Sequence, residues 1–322
     1  MTRLCALLLR TACIALALTA PAAAQDYPTK PVRVLVPFSP GGINDIVARL
    51  LAAQLSERLG KQFVVENKTG AGGAVAGELV AGAPKDGHTL LIVSIAIAIN
   101  PWMQKLPYDT IKAFAPVAVL ATSPIVLVIN ADLPAKSMQE FVALARQKPG
   151  ELKYATSGVG TFMHLGGELF KLTAGVDLLH VPFRGAGPAM IDVIGGHSQV
   201  SFASIPSVIG HVRSGKLRAL GIGSLARNPA LPELPTMTEG GVTGYQAANW
   251  IGIVAPAGTP APVVALLHKE ISAIQDSAEL RKRFASEGAD VLQMSVAEFG
   301  AFIASEHAKW GHVIEQAKIK PE

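Results

Sequence analysis

The chain has 322 residues, 28 Lys and Arg against 24 Asp and Glu, half of its residues hydrophobic, and two cysteines. Such a near balance argues against nucleic-acid binding, which usually shows as a clustered basic face. Cys5 and Cys13 both lie near the start, so the rest of the chain has no disulfide, no thiolate metal site and no cysteine nucleophile.

Arg3 and Arg10 supply positive charge around two short apolar stretches, and Pro21 with Ala22, Ala23 and Ala24 leads into Gln25. This order predicts a secretory signal peptide over residues 1–24, cleaved after Ala24. The apolar stretches fall short of the roughly 20 residues of a membrane span. Without Arg3 and Arg10, 26 basic side chains remain against 24 acidic ones, and the exported protein is expected in the periplasm.

From residue 31 onward, apolar runs of strand length alternate with helix-period segments. Residues 32–38 read as a buried strand, because parallel strands covered on both faces lose the apolar/polar alternation. After the turn Ser39-Pro40-Gly41-Gly42, a helix is expected over residues 44–59, with Ile46, Val47, Leu50, Leu51 and Leu55 on one side. A strand at 63–66, a helix opened by Gly70 to Gly73 and running to about 83, and a strand at 89–94 complete a β-α-β-α-β unit. A second set begins with a strand at 125–129. Ser137 and Glu140 are spaced as a capping box for a helix ending before Pro149-Gly150. Strands near 153–156, 178–182, 199–203 and 217–224 then alternate with helices near 164–172, 188–195 and 206–213. Residues 228–235 read as an ordered Pro-rich loop. A strand at 250–255 and helical stretches from about 259, 277 and 295 follow, the last with a second box at Ser295 and Glu298. The expected fold is α/β with two lobes, each a mostly parallel sheet flanked by helices. Crossovers near 121–124 and 244–249 divide it into a discontinuous first domain, 25–124 with 244–322, and a second domain, 125–243.

Three glycine-bearing strand-to-helix turns are candidates for binding. They are Phe38-Ser39-Pro40-Gly41-Gly42, Ser157-Gly158-Val159-Gly160-Thr161 and Arg184-Gly185-Ala186-Gly187. Helix starts offer unpaired N–H groups and the positive end of the helix dipole, which suits an anion. Glycine admits a ligand oxygen close to the backbone, and crevices beyond the carboxyl ends of parallel strands are where such sheets bind ligands. Equally, each glycine can serve only a tight turn. Asp45 is expected to satisfy backbone N–H groups at its helix start. Arg184 is open between a ligand carboxylate and a salt bridge. Trp250 and Trp310 read as packing residues, with Trp250 also a candidate for lining the cleft. No G-x-S-x-G, G-x-x-x-x-G-K-[ST], H-E-x-x-H or strict G-x-G-x-x-G occurs. His164, His180, His197 and His211 are scattered, and capping, packing or surface roles are expected of them. Neither a metal nor a cofactor is expected, and no catalytic residue is assigned.

Tyr27-Pro28-Thr29-Lys30-Pro31 leading to Val36 through Asp45, Val65 through Gly73, Leu106-Pro107-Tyr108-Asp109, Tyr154 through His164, His180 through Gly185, Gly215 through Leu220 and Ala255 through Pro260 occur in order along the chain. As a set they resemble the Bug (TctC-like) solute receptors of tripartite tricarboxylate transporters. The resemblance implies a type II periplasmic binding fold that closes on a small carboxylate like a jaw. It also implies monomeric action and delivery to membrane permease subunits on other chains. Carried onto this chain, the ligand loops are Ser39 to Asp45, including Asn44, and Ser157 to Thr161. Two departures stand out. The segment after the third strand is Ser94-Ile95-Ala96-Ile97-Ala98-Ile99-Asn100, where the family usually has Ser, Thr, Gly and often His. Ala203-Ser204 stand where an Asp-Asn pair is common. Without a carboxylate at 203 a ligand ammonium loses its partner, so the expected ligand is a di- or tricarboxylate or aromatic acid without an amino group. A sensory receptor feeding a two-component kinase is the alternative reading, and a periplasmic enzyme the remote one.

Overall fold

The computed structural model describes residues 27–38, 40–41, 43–183, 185–286 and 289–320. The expected signal peptide and Ser39, Gly42 and Arg184 lie outside the described residues.

The chain begins with β1 (Val32–Val36), α1 (Ile43–Leu59), β2 (Phe63–Asn67), a short 3-10 turn (Ala71–Gly73), α2 (Ala74–Ala81), β3 (Thr89–Ser94) and α3 (Ala96–Met103). β1 lies between β2 and β3, parallel to both. Val32, Val34 and Val36 face one apolar cluster with α1, while Leu35 faces the other. Both faces are covered, which is why the run reads as apolar without alternation. It stops two residues before the expected end, because Pro37 and Phe38 already belong to the turn.

The next element, β4 (Phe114–Asn130), is a single 17-residue strand. Residues 114–124 pair antiparallel with β9 (Ala248–Pro256), which joins the edge of β3. Residues 125–130 pair instead with β7 (Val200–Ser204) and β8 (Leu217–Ile222). β5 (Lys153–Thr156) continues from β7, and β6 (Leu179–Pro182) follows β5, both pairings parallel. The sheet is therefore mixed: parallel in the outer strands of each half and antiparallel along β4 and β9. Only residues 125–129 of β4 are expected from sequence; the strand in fact runs back to Phe114 through Pro124 and Pro116, residues seldom found inside a strand. The structure accommodates the disruption with register shifts at Pro116/Ala118 and Val119/Ala121. Carbonyls along this stretch find side-chain donors. His268 Nδ1 lies 2.9 Å from Val117 O, and Gln275 Nε2 reaches Val119 O and Leu120 O at 3.0 Å each.

α4 (Met138–Gln147), α5 (Phe162–Ala174), α6 (Ala186–Ile194) and α7 (Ile205–Arg213) flank the second half. α8 (Ala261–Gln275), α9 (Ala278–Ser286), the short β10 (Asp290–Val291) and α10 (Val296–Gln316) return to the first half. Ser295 and Glu298 make the complete reciprocal box at α10. At α4 only half of the expected box forms. Ser137 Oγ accepts from Glu140 N–H at 3.2 Å, but the Glu140 carboxylate reaches one residue further back, to Lys136 N–H at 2.6 Å. Three apolar clusters fill the molecule, one of them continuous through both halves. No helix among the described residues is long and apolar enough to cross a membrane.

Candidate functional site

A cavity of about 740 Å³ opens where the carboxyl ends of β1, β3, β5 and β7 meet the starts of α1, α3, α5 and α7. From the first half it receives Phe38, Gly41, Asn44, Ser94 and α3; from the second, Gly160, Thr161, Phe162 and Ser204. Ser123 of β4 and Asn249 of β9 line it where the two halves adjoin. None of the described lining residues carries a charge.

The first turn is anchored from behind. Gly41 N–H donates to Asp45 Oδ2 at 2.9 Å, and Arg49 Nε donates to the same oxygen at 3.0 Å. Asn67 Nδ2 donates to Asp45 Oδ1 at 2.8 Å and to Phe38 O at 2.9 Å, while Arg49 Nη2 donates to Asn67 Oδ1 at 3.0 Å. Burial opposes the charge on Asp45, but hydrogen bonds from Arg49, the Gly41 amide and Asn67 outweigh it and hold the carboxyl below its ordinary range. Asp45 thus does what its position at a helix start predicts. Beside it, the Asn44 side chain is buried and its Oδ1 has no partner. Buried polar groups are normally satisfied, so this carboxamide is available to complete a contact in the cavity it lines.

α3 forms the apolar wall. Ile95, Ile99 and Met103 face the cavity beside Ser94 and Asn100. Trp102 Nε1 donates to His307 O of α10 at 3.0 Å, and His307 Nδ1 lies 3.1 Å from Ala98 O. Asn100 Nδ2 and Gln104 Nε2 donate to Gly72 O and Ala71 O at 2.9 and 2.8 Å, tying the 3-10 turn to the same wall.

On the opposite side Thr161 caps α5. Its hydroxyl accepts from His164 N–H at 3.4 Å and donates to Gly158 O at 2.8 Å. Gly160 has φ +69°, and a Cβ there would stand 2.8 Å from Met103 Cε of α3. The glycine thus serves both the backbone conformation and the approach of the two walls. Ser204 and Ser207 oxygens lie 3.1 Å apart at the start of α7.

The model of the tripartite tricarboxylate transporter family receptor, TctC, matches residues 47–319. The chain belongs to that family. Receptors of the TctC family are periplasmic solute-binding proteins with a two-lobed fold. The Bordetella pertussis protein BugT is 36% identical over 329 residues, covering 99% of either chain. The structure of R. palustris Rpa4515 with adipate is 34% identical with a TM-score of 0.79, covering 92% of this chain and 100% of that one. MatC from Rhodopseudomonas palustris with bound malate is 33% identical with a TM-score of 0.74, covering 89% and 100%.

Of the site residues read from sequence in this TctC receptor, Phe38, Gly41, Asn44, Ser94, Gly160, Thr161 and Ser204 come together around the cavity. Ser157, Gly158 and Ala203 do not line it. Ser157 acts through its carbonyl, which accepts from Gly185 N–H at 3.3 Å. Ala203 is fully buried in the cluster with Val126, Ala189 and Ile205. It alternates with Ser204 across β7, so only one of the two neighbours reaches the cavity. Trp250 is also a packing residue: its indole and that of Trp310 donate to the buried Glu306 carboxylate at 3.2 and 3.0 Å. Residues missed from sequence include Met103, Ser123, Phe162, Ser207 and Asn249. Ser207 was within reach, since Ser204-Ile205-Pro206 is a helix start with proline in the first turn. Asn249 and Ser123 gave no local signal, because only the pairing of β4 with β9 brings them together.

Proposed function

We propose that this protein is a periplasmic receptor that captures a small carboxylate with an apolar body and no amino group, and performs no chemistry on it. The observation that carries this reading is the cavity lining. Hydroxyls, carboxamides and helix starts on both sides suit anionic oxygens, while Ile95, Ile99, Met103, Phe162 and Met163 supply an apolar middle. No acidic side chain among the described lining residues stands ready to pair with an ammonium. Relatives holding adipate and malate support the carboxylate class. In this reading residues 25–124 with 244–322 and residues 125–243 act as two lobes. Phe38 to Asn44, Ser94, Gly160, Thr161, Arg184 and Ser204 contact ligand. After loss of residues 1–24 the monomer hands its ligand to the membrane subunits of a tripartite tricarboxylate-type transporter. A thermal-shift panel of adipate, malate, hexanoate, benzoate, aspartate and glutamate tests the ligand class. Ligand at about 100 times its Kd adds roughly 2.7 kcal/mol, so stabilisation by adipate, hexanoate or benzoate is expected to be plain. Stabilisation by aspartate or glutamate alone would overturn the reading.

A further inference from the structure

Behind the second glycine loop lies a pair of histidines with no counterpart behind the first among the described residues. His164 of α5 and His180 of β6 stack with ring centroids 3.8 Å apart and planes 11° apart. Tyr154 of β5 stacks on His180 at 5.0 Å and 30°. His164 touches the loop directly through one nitrogen, and His180 reaches it through Thr156. Gly160 N–H donates to His164 Nδ1 at 3.0 Å. His180 Nε2 lies 2.7 Å from Thr156 Oγ1, a hydroxyl 3.3 Å from both the N–H and the carbonyl oxygen of Gly158. The two histidines therefore hold the two glycines whose positive φ values, +134° and +69°, shape the loop.

A ring nitrogen that accepts an N–H carries no proton, so this geometry requires His164 with Nδ1 bare. Protonation would set two donors, Nδ1–H and Gly160 N–H, against each other at 3.0 Å, and the loop would have to move. The surroundings favour the neutral form. His164 is 5% exposed and its stacked neighbour is a second imidazole. Glu168, the nearest carboxylate on α5, is already engaged by the Tyr154 hydroxyl and by Lys171 Nζ at 3.1 Å, and Lys171 also lies 3.6 Å from Asp177. Burial, then Lys171, lowers His164 from 6.5 to about 4. Burial, then His164 itself, lowers His180 likewise to about 4.

We propose that His164 and His180 are positioning residues of the binding site: stacked and neutral, they lock the loop at 157–161 in the form that turns Gly160 and Thr161 toward the ligand. The binding consequence rests on the carboxylate reading above, whereas the lock itself does not. Two substitutions separate shape from chemistry. His164→Asn places a carboxamide oxygen near the position of Nδ1, whereas His164→Gln places it near Nε2. By amide hydrogen exchange at pH 7, Gly160 is expected to be protected in the wild type and in H164N, and to exchange about tenfold faster in H164Q. Long-range 1H–15N spectra of the wild type are expected to show His164 as the Nε2–H tautomer, still neutral at pH 5. Equal Gly160 exchange in all three proteins, or a proton on Nδ1 of His164 at pH 7, would overturn the proposal. In the binding arm, adipate is expected to stabilise the wild type and H164N and to bind H164Q about tenfold more weakly; equal affinity in all three also overturns it. A wild type indifferent to adipate, hexanoate and benzoate counts against the carboxylate reading, and Gly160 exchange then decides the role of the histidines.

Discussion

The turn at residues 38–45 and the loop at 157–161 face each other across one cavity, follow a strand, contain glycine at positive φ and open a helix. They differ in what holds them. The first is pinned by ions, with the Asp45 carboxylate between Gly41 N–H, Arg49 and Asn67. The second is pinned by neutral groups, namely Thr156, Thr161 and two imidazoles. One backbone plan can thus be fixed by charge or by its absence, and the two choices respond differently to substitution and to acid.

The largest expected contrast comes from adding one methyl group on each side. Gly160→Ala meets both a positive φ and the flexible end of Met103, and should cost about 1–3 kcal/mol, most of it backbone strain. Gly41→Ala at φ +83° has nothing within 4 Å of the new Cβ, and should cost only the strain, about 1–2 kcal/mol. Urea unfolding of both variants checks the difference, and Gly160→Ala combined with Met103→Ala should recover part of it. Next in size, Asp45→Ala leaves Gly41 N–H and Arg49 Nε without their acceptor and the Asn67 amide with only Phe38 O, and should lower stability by about 2 kcal/mol. A loss below a few tenths would mean that the ionic anchor is ornamental.

Acid gives the smallest and most selective test. A lowered carboxyl contributes stability above its ordinary value, which for Asp45 is 3.8, and loses it as pH falls through its still lower folded value. A lowered imidazole contributes in full above 6.5 and loses that contribution progressively as pH falls toward about 4. Between about pH 6 and pH 5 the slope of unfolding free energy against pH therefore belongs to the second loop. It should become shallower in H164N, which removes the contribution of His164 and leaves that of buried His180, and persist unchanged in Asp45→Asn, as denaturant titrations over that range would show.

The first turn was legible because its signals are local: an apolar run, a glycine turn, and an acid at a helix start; its partner Arg49, one helical turn on, went unread. β3 and the capped start of α10 were legible for the same reason. α3 was not, since Ala96 to Met103 has Asn100 as its sole polar side chain, shows no apolar periodicity and contains Pro101; α10 packs behind it, with Trp102 bonded to His307. The first part of β4 carries two prolines, which weaken a strand signal, and the side chains that bond its carbonyls, Gln275 and His268, are remote in sequence. Ala203 shows the limit of comparison by motif. Its neighbour Ser204 faces the cavity, and strand alternation alone turns Ala203 into the core.

β4 passes from pairing with β9 to pairing with β7 between Pro124 and Ile125, and the second crossing lies directly beside it, with Ile125 N–H donating to Ala247 O at 3.2 Å. The halves are thus joined by two adjacent, hydrogen-bonded backbones rather than by slack tethers. Any spreading of the cavity walls would have to twist this ribbon, and its ladder would resist slippage. Mechanically the join is a laminated strip: two backbones lie side by side, and a load on one is shared with the other through the bond between Ile125 and Ala247.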